Sequence, residues 1–233
     1  MCVVTGATGN LGPVVVRSYL AQGAHVAIAV REAAKGQALR ASLAEIAGSA
    51  EDPRLLVVSA DPAERAAMDG LVEQVLRVWG RLDVLANLAG RFEGGSALDL
   101  GLMTDMWETN VRTAVTASAA CIVPMRARGY GRVVNVSALG ALKGARNTAA
   151  YAMSKGAVAR WTEALAAEVK SEGITVNAIL PTTIDHPENR ARMPKVDPKT
   201  WPSPAEVAAV ILFLSSRAAS GVNGALVPIM GRT

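Results

Sequence analysis

The sequence predicts an α/β fold in which helices cover both faces of one doubly wound parallel β-sheet, within a single domain over residues 1–233. Short β-branched runs alternate with longer helical patterns along the chain, and such alternation is typical of a parallel sheet. A length of 233 residues suits one large α/β domain and is short for two. Hydrophobic residues make up 51% of the chain and charged residues 19%, which indicates an extensive aliphatic core.

Composition argues against several classes of protein. The formal net charge is +4 and the basic residues are scattered, which argues against nucleic acid as a partner. Two cysteines (Cys2 and Cys121) and two histidines (His25 and His186) offer neither a disulfide framework nor a zinc site, so we expect no metal. No signal peptide precedes the first strand and no apolar run reaches membrane-spanning length, so we expect a cytoplasmic protein without a membrane partner.

The first elements are a strand, a glycine-rich turn and a helix. A β-like run at Met1–Thr5 leads into TGATGNLG at Thr5–Gly12, and a helical pattern with Pro13 in its first turn follows. Gly23 ends this helix, and His25–Val30 reads as the second strand. This order is that of a dinucleotide-binding βαβ unit, in which glycines let backbone N–H groups approach a pyrophosphate. The alternative is a glycine-rich turn that binds nothing.

The strand and helix patterns then repeat. Strand-like runs cover Leu55–Ser59, Leu82–Asn87, Gly131–Ser137, Ile174–Leu180 and Ala225–Ile229. Helical patterns cover Glu64–Val78, Met103–Arg128, Ala149–Ser171 and Pro204–Ser215. No internal repeat or linker interrupts the alternation, so we expect these elements to form one layered unit.

One segment breaks the alternation. Pro181–Pro204 contains six of the eleven prolines, so it cannot be a continuous helix or a central strand. The segment follows the carboxyl end of a predicted strand, where ligands bind in open α/β sheets. We interpret it as a substrate lid; the alternative is a surface connector without a role.

A tyrosine and a lysine stand four residues apart in AAYAMSKG, at Tyr151 and Lys155. In a helix this spacing places both side chains on one face. A phenol has an ordinary pKa of about 10, and a neighbouring ammonium favours the phenolate, which suits acid–base catalysis near neutral pH. Taken alone, the pair also occurs in helices that catalyse nothing.

Taken together, these features resemble the classical short-chain dehydrogenase/reductase family over nearly the whole chain. The landmarks follow the family's order: the glycine turn at Thr5–Gly12, Asp61, ANLAG at Ala86–Gly90, Asn110, Ser137 and the Tyr151–Lys155 pair. A tyrosine followed by three residues and a lysine is common, but VVNVSA and NLAG at family-like distances before it make the pattern specific. The resemblance implies a Rossmann-like fold and an NAD(P)-dependent oxidoreductase that acts on a small carbonyl or alcohol.

The resemblance also implies four catalytic roles. Tyr151 is expected to give its proton to the developing alkoxide during reduction, and Lys155 to lower the pKa of Tyr151 and hold the nicotinamide ribose. Ser137 is expected to donate a hydrogen bond to the substrate oxygen, where charge develops. Asn110 is expected to anchor a water that links Lys155 to solvent.

The cofactor-binding residues implied by the resemblance come from every part of the predicted sheet edge. They are Gly6, Thr8, Asn10, Leu11 and Gly12 at the pyrophosphate turn, Asp61 at the adenine, Asn87, Ala89 and Gly90 between adenosine ribose and nicotinamide, Pro181 and Ile184 at the carboxamide, and Tyr151 and Lys155.

Arg31 directs the choice between the two nicotinamide cofactors. An acidic residue at the end of the second strand would pair with a ribose 2′-hydroxyl, but here Val30 occupies that place and Arg31 follows. A guanidinium suits a 2′-phosphate, so the sequence favours NADP(H) over NAD(H). The alternative is that Arg31 is the first solvent-facing residue after a strand.

Three predicted loops surround the substrate: Arg91–Leu98, Ala138–Thr148 and Asp185–Trp201. They carry a surplus of basic residues, namely Arg91, Lys143, Arg146, Arg190, Arg192 and Lys195, and three residues that could form apolar walls, Phe92, Met193 and Trp201. An anionic or carrier-linked substrate such as a 3-oxoacyl thioester suits this surplus, although solvated loop charges account for it equally well. His186 is either a functional residue or a solvated loop position.

Two further interpretations remain open. The segments PTTIDHPENR and GALVPIMG are similar to those of dihydropteridine reductase-like members of the family, which makes a quinonoid pterin an alternative substrate. A nucleotide-binding regulator without catalysis is the alternative from another class. Because relatives are usually oligomers, we expect a homodimer or homotetramer through the helices of Asn110 and Tyr151.

Overall fold

The computed structural model describes residues 1–47 and 52–232 as one parallel sheet with helices on both faces. The strands are β1 (Cys2–Thr5), β2 (Val26–Val30), β3 (Leu55–Ser59), β4 (Val84–Asn87), β5 (Gly131–Val136), β6 (Ile174–Pro181) and β7 (Leu226–Ile229). The helices are α1 (Gly12–Ala21), α2 (Ala33–Ala47), α3 (Arg65–Trp79), α4 (Leu100–Met106), α5 (Thr113–Arg128), α6 (Ala149–Val169), α7 (Pro187–Arg192) and α8 (Pro204–Ser215). The seven strands lie in the order β3-β2-β1-β4-β5-β6-β7 and every pairing is parallel.

The sheet is buried on both faces. All residues of β1, β2, β4 and β6 are buried, as expected for parallel strands covered by helices. Residues of α1, α2 and α8 pack in the core on one face, and residues of α3, α5 and α6 pack on the other. The predicted doubly wound α/β fold is confirmed. No helix among the described residues is both long enough and apolar enough to span a bilayer.

The strand order reverses between β1 and β4. The chain moves from β1 outward to β3 and then returns to pair β4 with the other side of β1. At this reversal the crossover connections diverge, and the carboxyl ends of β1 and β4 border a crevice suited to a ligand. In register, Thr5 pairs with Asn87, and Asn87 pairs with Asn135 on β5.

The sequence patterns do not predict helix α2. Its apolar positions are mostly alanine, so it has little amphipathic contrast, and Gly36 in its first half weakens any helix prediction. That glycine has a packing role. A Cβ at this position would lie 2.6 Å from Val57 Cγ1, so its absence lets α2 approach β3 closely.

The predicted helix over Met103–Arg128 is partly wrong. Helix α4 begins three residues earlier at Leu100, because the Asp99 side chain accepts a hydrogen bond from the Leu102 N–H (3.0 Å) and caps the helix. Between α4 and α5 the chain forms a π-helical segment, Trp107–Arg112. Such segments are rare and are frequently found at functional sites.

The proline-rich segment is also more ordered than predicted. It contains the short helix α7 and a 3₁₀ turn at Pro198–Thr200, each with proline at its start, where proline needs no N–H partner. The remainder is irregular, as the prolines predict.

Candidate active site

Tyr151 and Lys155 lie one turn apart on α6, facing the carboxyl end of β5. Lys155 is 5% exposed, and its Nζ donates a hydrogen bond to the Val136 carbonyl (2.9 Å) at the end of β5. Nζ lies 6.0 Å from the centre of the Tyr151 ring. The helical spacing thus brings the phenol and the ammonium to the same edge of the sheet.

Burial changes the protonation of both groups. It raises the pKa of Tyr151 to about 12 and lowers the pKa of Lys155 to about 8. In each case the charged form loses hydration, so burial opposes the phenolate and the ammonium alike. The sequence predicts a lowered pKa for Tyr151, whereas in this arrangement burial raises it. The phenol is therefore protonated at neutral pH, which is the form that donates a proton.

Ser137 directly follows β5 and is buried against α6. Its hydroxyl donates a hydrogen bond to the backbone carbonyl of Lys155 (2.7 Å). The hydroxyl is therefore oriented by the same helix that carries the Tyr151–Lys155 pair. To polarise a substrate oxygen, as the resemblance implies, it has to rotate away from this carbonyl.

Asn110 lies in the π-helical segment and connects three parts of the site. Its Oδ1 accepts the Arg91 N–H (2.9 Å), and its Nδ2 donates to the Arg91 carbonyl (3.1 Å) and to Ser154 Oγ (3.0 Å). Gly90 lies between this amide and Lys155. A Cβ at Gly90 would be 2.5 Å from Asn110 Oδ1 and 3.0 Å from Lys155 Nζ, so the absence of a side chain there is required.

Phe92 packs against the phenol. Its ring meets the ring of Tyr151 edge-on, with centroids 4.9 Å apart and an interplanar angle of 78°. Such edge-to-face pairs are favourable. Of the two aromatic residues predicted to form apolar walls, Phe92 therefore lies against Tyr151, whereas Trp201 is only 6% exposed.

The glycine turn after β1 has the shape that a dinucleotide requires. Gly6 has φ +65°, and a Cβ there would lie 2.6 Å from the Ala89 nitrogen. A Cβ at Gly12 would lie 2.2 Å from the Ala7 carbonyl oxygen. Leu11 precedes α1 without a side-chain cap, so the first N–H groups of α1 are available to a phosphate. These residues fit a nicotinamide dinucleotide.

The other side of the turn contacts the proline-rich segment. Asn10 Nδ2 donates a hydrogen bond to Glu188 Oε2 (3.1 Å) on α7. His186 Nδ1 accepts the Glu188 N–H (3.4 Å) and caps α7, which gives this histidine a structural role. The segment that follows β6 therefore reaches the pyrophosphate turn.

A cavity of about 280 Å³ lies between the glycine turn and α2. Its lining residues are Thr8, Pro13, Lys35, Ala38, Leu39 and Ser42. Lys35 pairs with Glu32 (2.7 Å) on the surface, and Arg31 is exposed immediately after β2. Sequence reasoning missed Lys35 because α2 was not predicted; its place four residues after Arg31 becomes informative only once that helix is known.

Asp61 and Asn87 differ in what they present to a ligand. Asp61 lies just beyond β3, and its Oδ1 accepts the Ala63 N–H (2.9 Å). Asn87 is 2% exposed, and its Nδ2 donates to Asn135 Oδ1 (2.9 Å) and Ser118 Oγ (3.0 Å). The Asn87 side chain therefore belongs to the core, and any contact of Asn87 with a cofactor is made by its backbone.

The buried polar network extends from β1 to α6. The Thr5 hydroxyl donates to Asn87 Oδ1 (3.5 Å), and Asn135 Nδ2 donates to Thr162 Oγ1 (2.9 Å). Thr162 is seven residues after Lys155, on the same face of α6. The network thus connects the strands that border the crevice to the helix that carries Tyr151 and Lys155.

The last of the predicted cofactor-binding residues lie at or just beyond the end of β6. Pro181 is the final residue of β6 and pairs with Ile229. The Ile184 carbonyl accepts a hydrogen bond from Asn189 Nδ2 (2.8 Å), so only its N–H is left for a ligand. Ala89 donates its N–H to Thr5 Oγ1 (3.3 Å), which fixes the backbone beside Gly6. Among the described residues no group of three or more His, Cys, Asp or Glu could hold a metal.

The fold and this site define a class: a nucleotide-binding α/β oxidoreductase with a glycine turn after β1 and a tyrosine–lysine pair beside β5. The sequence profile of the family described as short chain dehydrogenase matches residues 1–196. The chain belongs to this family, the short-chain dehydrogenases/reductases of the classical type. Members of the family bind nicotinamide cofactors.

Two curated relatives match almost the whole chain. The meso-2,3-butanediol dehydrogenase of Serratia marcescens is 28% identical over 240 residues, which cover 98% of this chain and 92% of that protein. The cis-4-hydroxycyclohexanecarboxylate dehydrogenase of Sinomonas cyclohexanicum is 32% identical over 243 residues, covering 99% and 95%.

Two solved structures have the same fold and differ in cofactor. NAD⁺-bound xylitol dehydrogenase superposes with a TM-score of 0.89 at 26% identity, covering 99% of this chain and 97% of that one. A variant of actinorhodin polyketide ketoreductase with NADPH superposes with a TM-score of 0.88 at 27% identity, covering 99% and 95%.

Proposed function

We propose that this oxidoreductase transfers hydride between NADP(H) and a carbonyl or alcohol, with Tyr151 as the acid–base group. The observation that supports the proposal best is the placement of Tyr151 and Lys155 beside Ser137, at the crevice edge of the sheet. The relatives named above are dehydrogenases of hydroxyl compounds, which agrees with this reaction type.

In the proposed reduction, four side chains donate, stabilise or return the proton that the carbonyl oxygen receives. Bound NADPH supplies the hydride, which carries both electrons to the carbonyl carbon. Tyr151 gives its phenolic proton to the carbonyl oxygen, so the product is a neutral alcohol. Ser137 donates a hydrogen bond to that oxygen while negative charge develops on it. Lys155 stabilises the phenolate that remains, and Asn110 orders a water that returns the proton.

For the cofactor we propose NADP(H) rather than NAD(H). Arg31 is exposed at the end of β2 and Lys35 lines the cavity beside the glycine turn, so two cations flank the place for a 2′-phosphate. A guanidinium binds phosphate through paired N–H groups, and an ammonium adds a second point charge. Since solved relatives carry either cofactor, these two side chains are the basis of the choice.

For the substrate we propose a ketone or the matching alcohol, with 3-oxoacyl thioesters included. We propose residues 181–204 as the lid that covers it. The Asn10–Glu188 hydrogen bond supports this role, because it spans from the segment to the glycine turn. The ion pair of Arg190 with Asp185 (2.6 Å) stabilises α7 in this position.

We propose a homodimer or homotetramer as the assembly. The helices on the side of Asn110 and Tyr151 expose large apolar side chains: Trp107, Val123 and Met153 are 47%, 58% and 47% exposed. Light scattering coupled to gel filtration measures the mass, and a monomer at micromolar concentration would contradict this assembly.

The experiment that tests the function follows the nicotinamide absorbance while NADPH is mixed with a panel of ketones, quinonoid pterins and 3-oxoacyl thioesters. Tyr151→Phe is expected to lower kcat by about 10²- to 10⁴-fold and to leave NADPH affinity unchanged. Tyr130→Phe is the matched control, since Tyr130 stacks with Arg132 away from the crevice. Full activity in Tyr151→Phe would refute the assignment, and binding without NADPH consumption would favour a regulator.

A further inference from the structure

A second cavity, of about 680 Å³, opens between the loop after β4 and the turn before α6. Its lining residues are Gly94, Gly95, Ser96, Ala97, Ala145, Arg146, Asn147 and Ala149. The volume falls within the range of small-molecule sites. All of these residues are small or polar except one cation, Arg146, and none is acidic.

The turn that carries Arg146 is held rigidly. The Thr148 hydroxyl accepts the Ala145 N–H (3.1 Å) and donates to the Ala145 carbonyl (2.9 Å), which closes the turn around Arg146. Asn147 has φ +61° and is the one described non-glycine residue with positive φ. Strained backbone of this kind is concentrated at functional sites.

The strained residue also joins the two walls of the cavity. The Asn147 carbonyl accepts the Gly95 N–H (2.9 Å), and a Cβ at Gly94 would lie 3.0 Å from the same oxygen. The walls therefore meet through backbone alone. Arg146 lines the cavity beside this junction.

Arg146 differs from Arg91 and Arg190, two other arginines of the predicted substrate loops, in its charge pairing. Arg91 pairs with Glu93 and Asp105, and Arg190 pairs with Asp185. No hydrogen bond or ion pair joins Arg146 to any residue within the described ranges 1–47 and 52–232. Its charge is therefore available to a ligand.

The cavity lies next to the reaction centre. A Cβ at Gly94 would be 3.5 Å from Phe92 Cζ, and the Phe92 ring packs at 4.9 Å on the ring of Tyr151. A substrate whose carbonyl meets Tyr151 can thus extend past Phe92 into the cavity. The far end of such a substrate would then lie in the cavity that Arg146 lines.

The geometry points to Arg146 as the specificity residue for a small carbonyl substrate that carries a carboxylate at its far end. This inference rests on the proposed oxidoreductase function. A guanidinium binds a carboxylate through two parallel N–H···O bonds, which fixes both the position and the orientation of the substrate. A neutral ester or amide offers no charge to this group.

The test compares cyclic and open-chain oxo acids with their methyl esters, using NADPH and the whole protein. The wild-type protein is expected to prefer the best acid over its ester by at least about 10-fold in kcat/KM. Arg146→Gln is expected to lower kcat/KM for the acid by about 10- to 100-fold, with the ester unchanged. Arg146→Lys keeps the charge without the paired geometry, so its kcat/KM for the acid is expected to lie between those of the wild type and Arg146→Gln.

Lys143→Gln is the control, because it removes the same charge from the same loop outside the cavity lining. Equal rates on acids and esters, equal losses on both in Arg146→Gln, or an equal loss in Lys143→Gln would each overturn the inference. If no carbonyl is reduced, titration calorimetry with the same acids separates the two proposals. If the wild type binds the acids and Arg146→Gln does not, the carboxylate site is supported even though the oxidoreductase reaction fails. If the wild type does not bind the acids, the proposed site is overturned.

Discussion

Lys155 donates its hydrogen bond to the Val136 carbonyl (2.9 Å) while its Nζ stands 6.0 Å from the ring centre of Tyr151. The ammonium is thus anchored to the end of β5 and lies beside the phenol ring. Because the lysine is almost completely buried, its charge carries a cost that depends on pH.

The first prediction concerns that cost. Burial lowers the pKa of Lys155 from 10.5 to about 8, so between these values the unfolded chain holds a proton that the folded chain lacks. The free energy of unfolding therefore rises with pH in this window, by about 2 to 3 kcal/mol between pH 8 and 10. Lys155→Met lacks this rise. Urea denaturation at pH 7 and pH 10 is expected to show that the unfolding free energy of the wild type rises relative to that of Lys155→Met.

Lys170→Met, which removes an exposed lysine instead of a buried one, serves as the control. Parallel stability curves for the wild type and Lys155→Met would show that burial does not perturb this lysine.

The second prediction separates two glycines of the same turn. In Gly12→Ala the new Cβ would lie 2.2 Å from the Ala7 carbonyl oxygen, whereas in Gly9→Ala the nearest atom, the Gly6 oxygen, is 3.3 Å away. Gly12→Ala is therefore expected to lose more than about 2 kcal/mol of unfolding free energy and most NADPH binding. Gly9→Ala is expected to lose less than about 1 kcal/mol. Denaturation and cofactor-fluorescence titration measure both, and equal losses would contradict the packing argument.

The third prediction concerns cofactor choice. Arg31→Ala is expected to raise the Kd for NADPH by about 10-fold and to leave the Kd for NADH within about 2-fold, because only NADPH carries the 2′-phosphate. Lys35→Ala is expected to raise the Kd for NADPH by about 3-fold. The effect is smaller because Lys35 also pairs with Glu32 (2.7 Å). Arg77→Ala, an exposed cation in the last turn of α3, is the control for net charge. Equal changes for the two cofactors would refute the phosphate contact.

The fourth prediction concerns the contact between the glycine turn and α7. Glu188 places a carboxylate next to Asn10, in the glycine turn that we propose holds the cofactor pyrophosphate, and like charges repel. Glu188→Gln keeps an oxygen for the Asn10 amide and removes the charge, so the Kd for NADPH is expected to fall by about 3-fold. The gain is expected to shrink as salt is added. Glu73→Gln, an exposed acid on α3, controls for net charge, and an unchanged Kd in Glu188→Gln would contradict the repulsion.

Much of the fold could be predicted from local patterns. The strands β1 to β7 were each predicted within one or two residues at either end, because their buried β-branched runs are recognisable without knowledge of their neighbours. The π-helical turn at Trp107–Arg112 and the alanine-rich helix α2 were not, since neither produces a periodic apolar pattern.

By itself, the sequence determined the α/β class, the glycine turn and the one-turn spacing of Tyr151 and Lys155. These properties depend on residue type and on separations of a few residues, so they are local. Only the tertiary structure decided that Asn87 turns into the core, that Glu188 reaches Asn10, and that Arg146 keeps a free charge beside a cavity. Those outcomes depend on which strands are neighbours and on which loops meet, and both are set by packing between residues far apart in the chain.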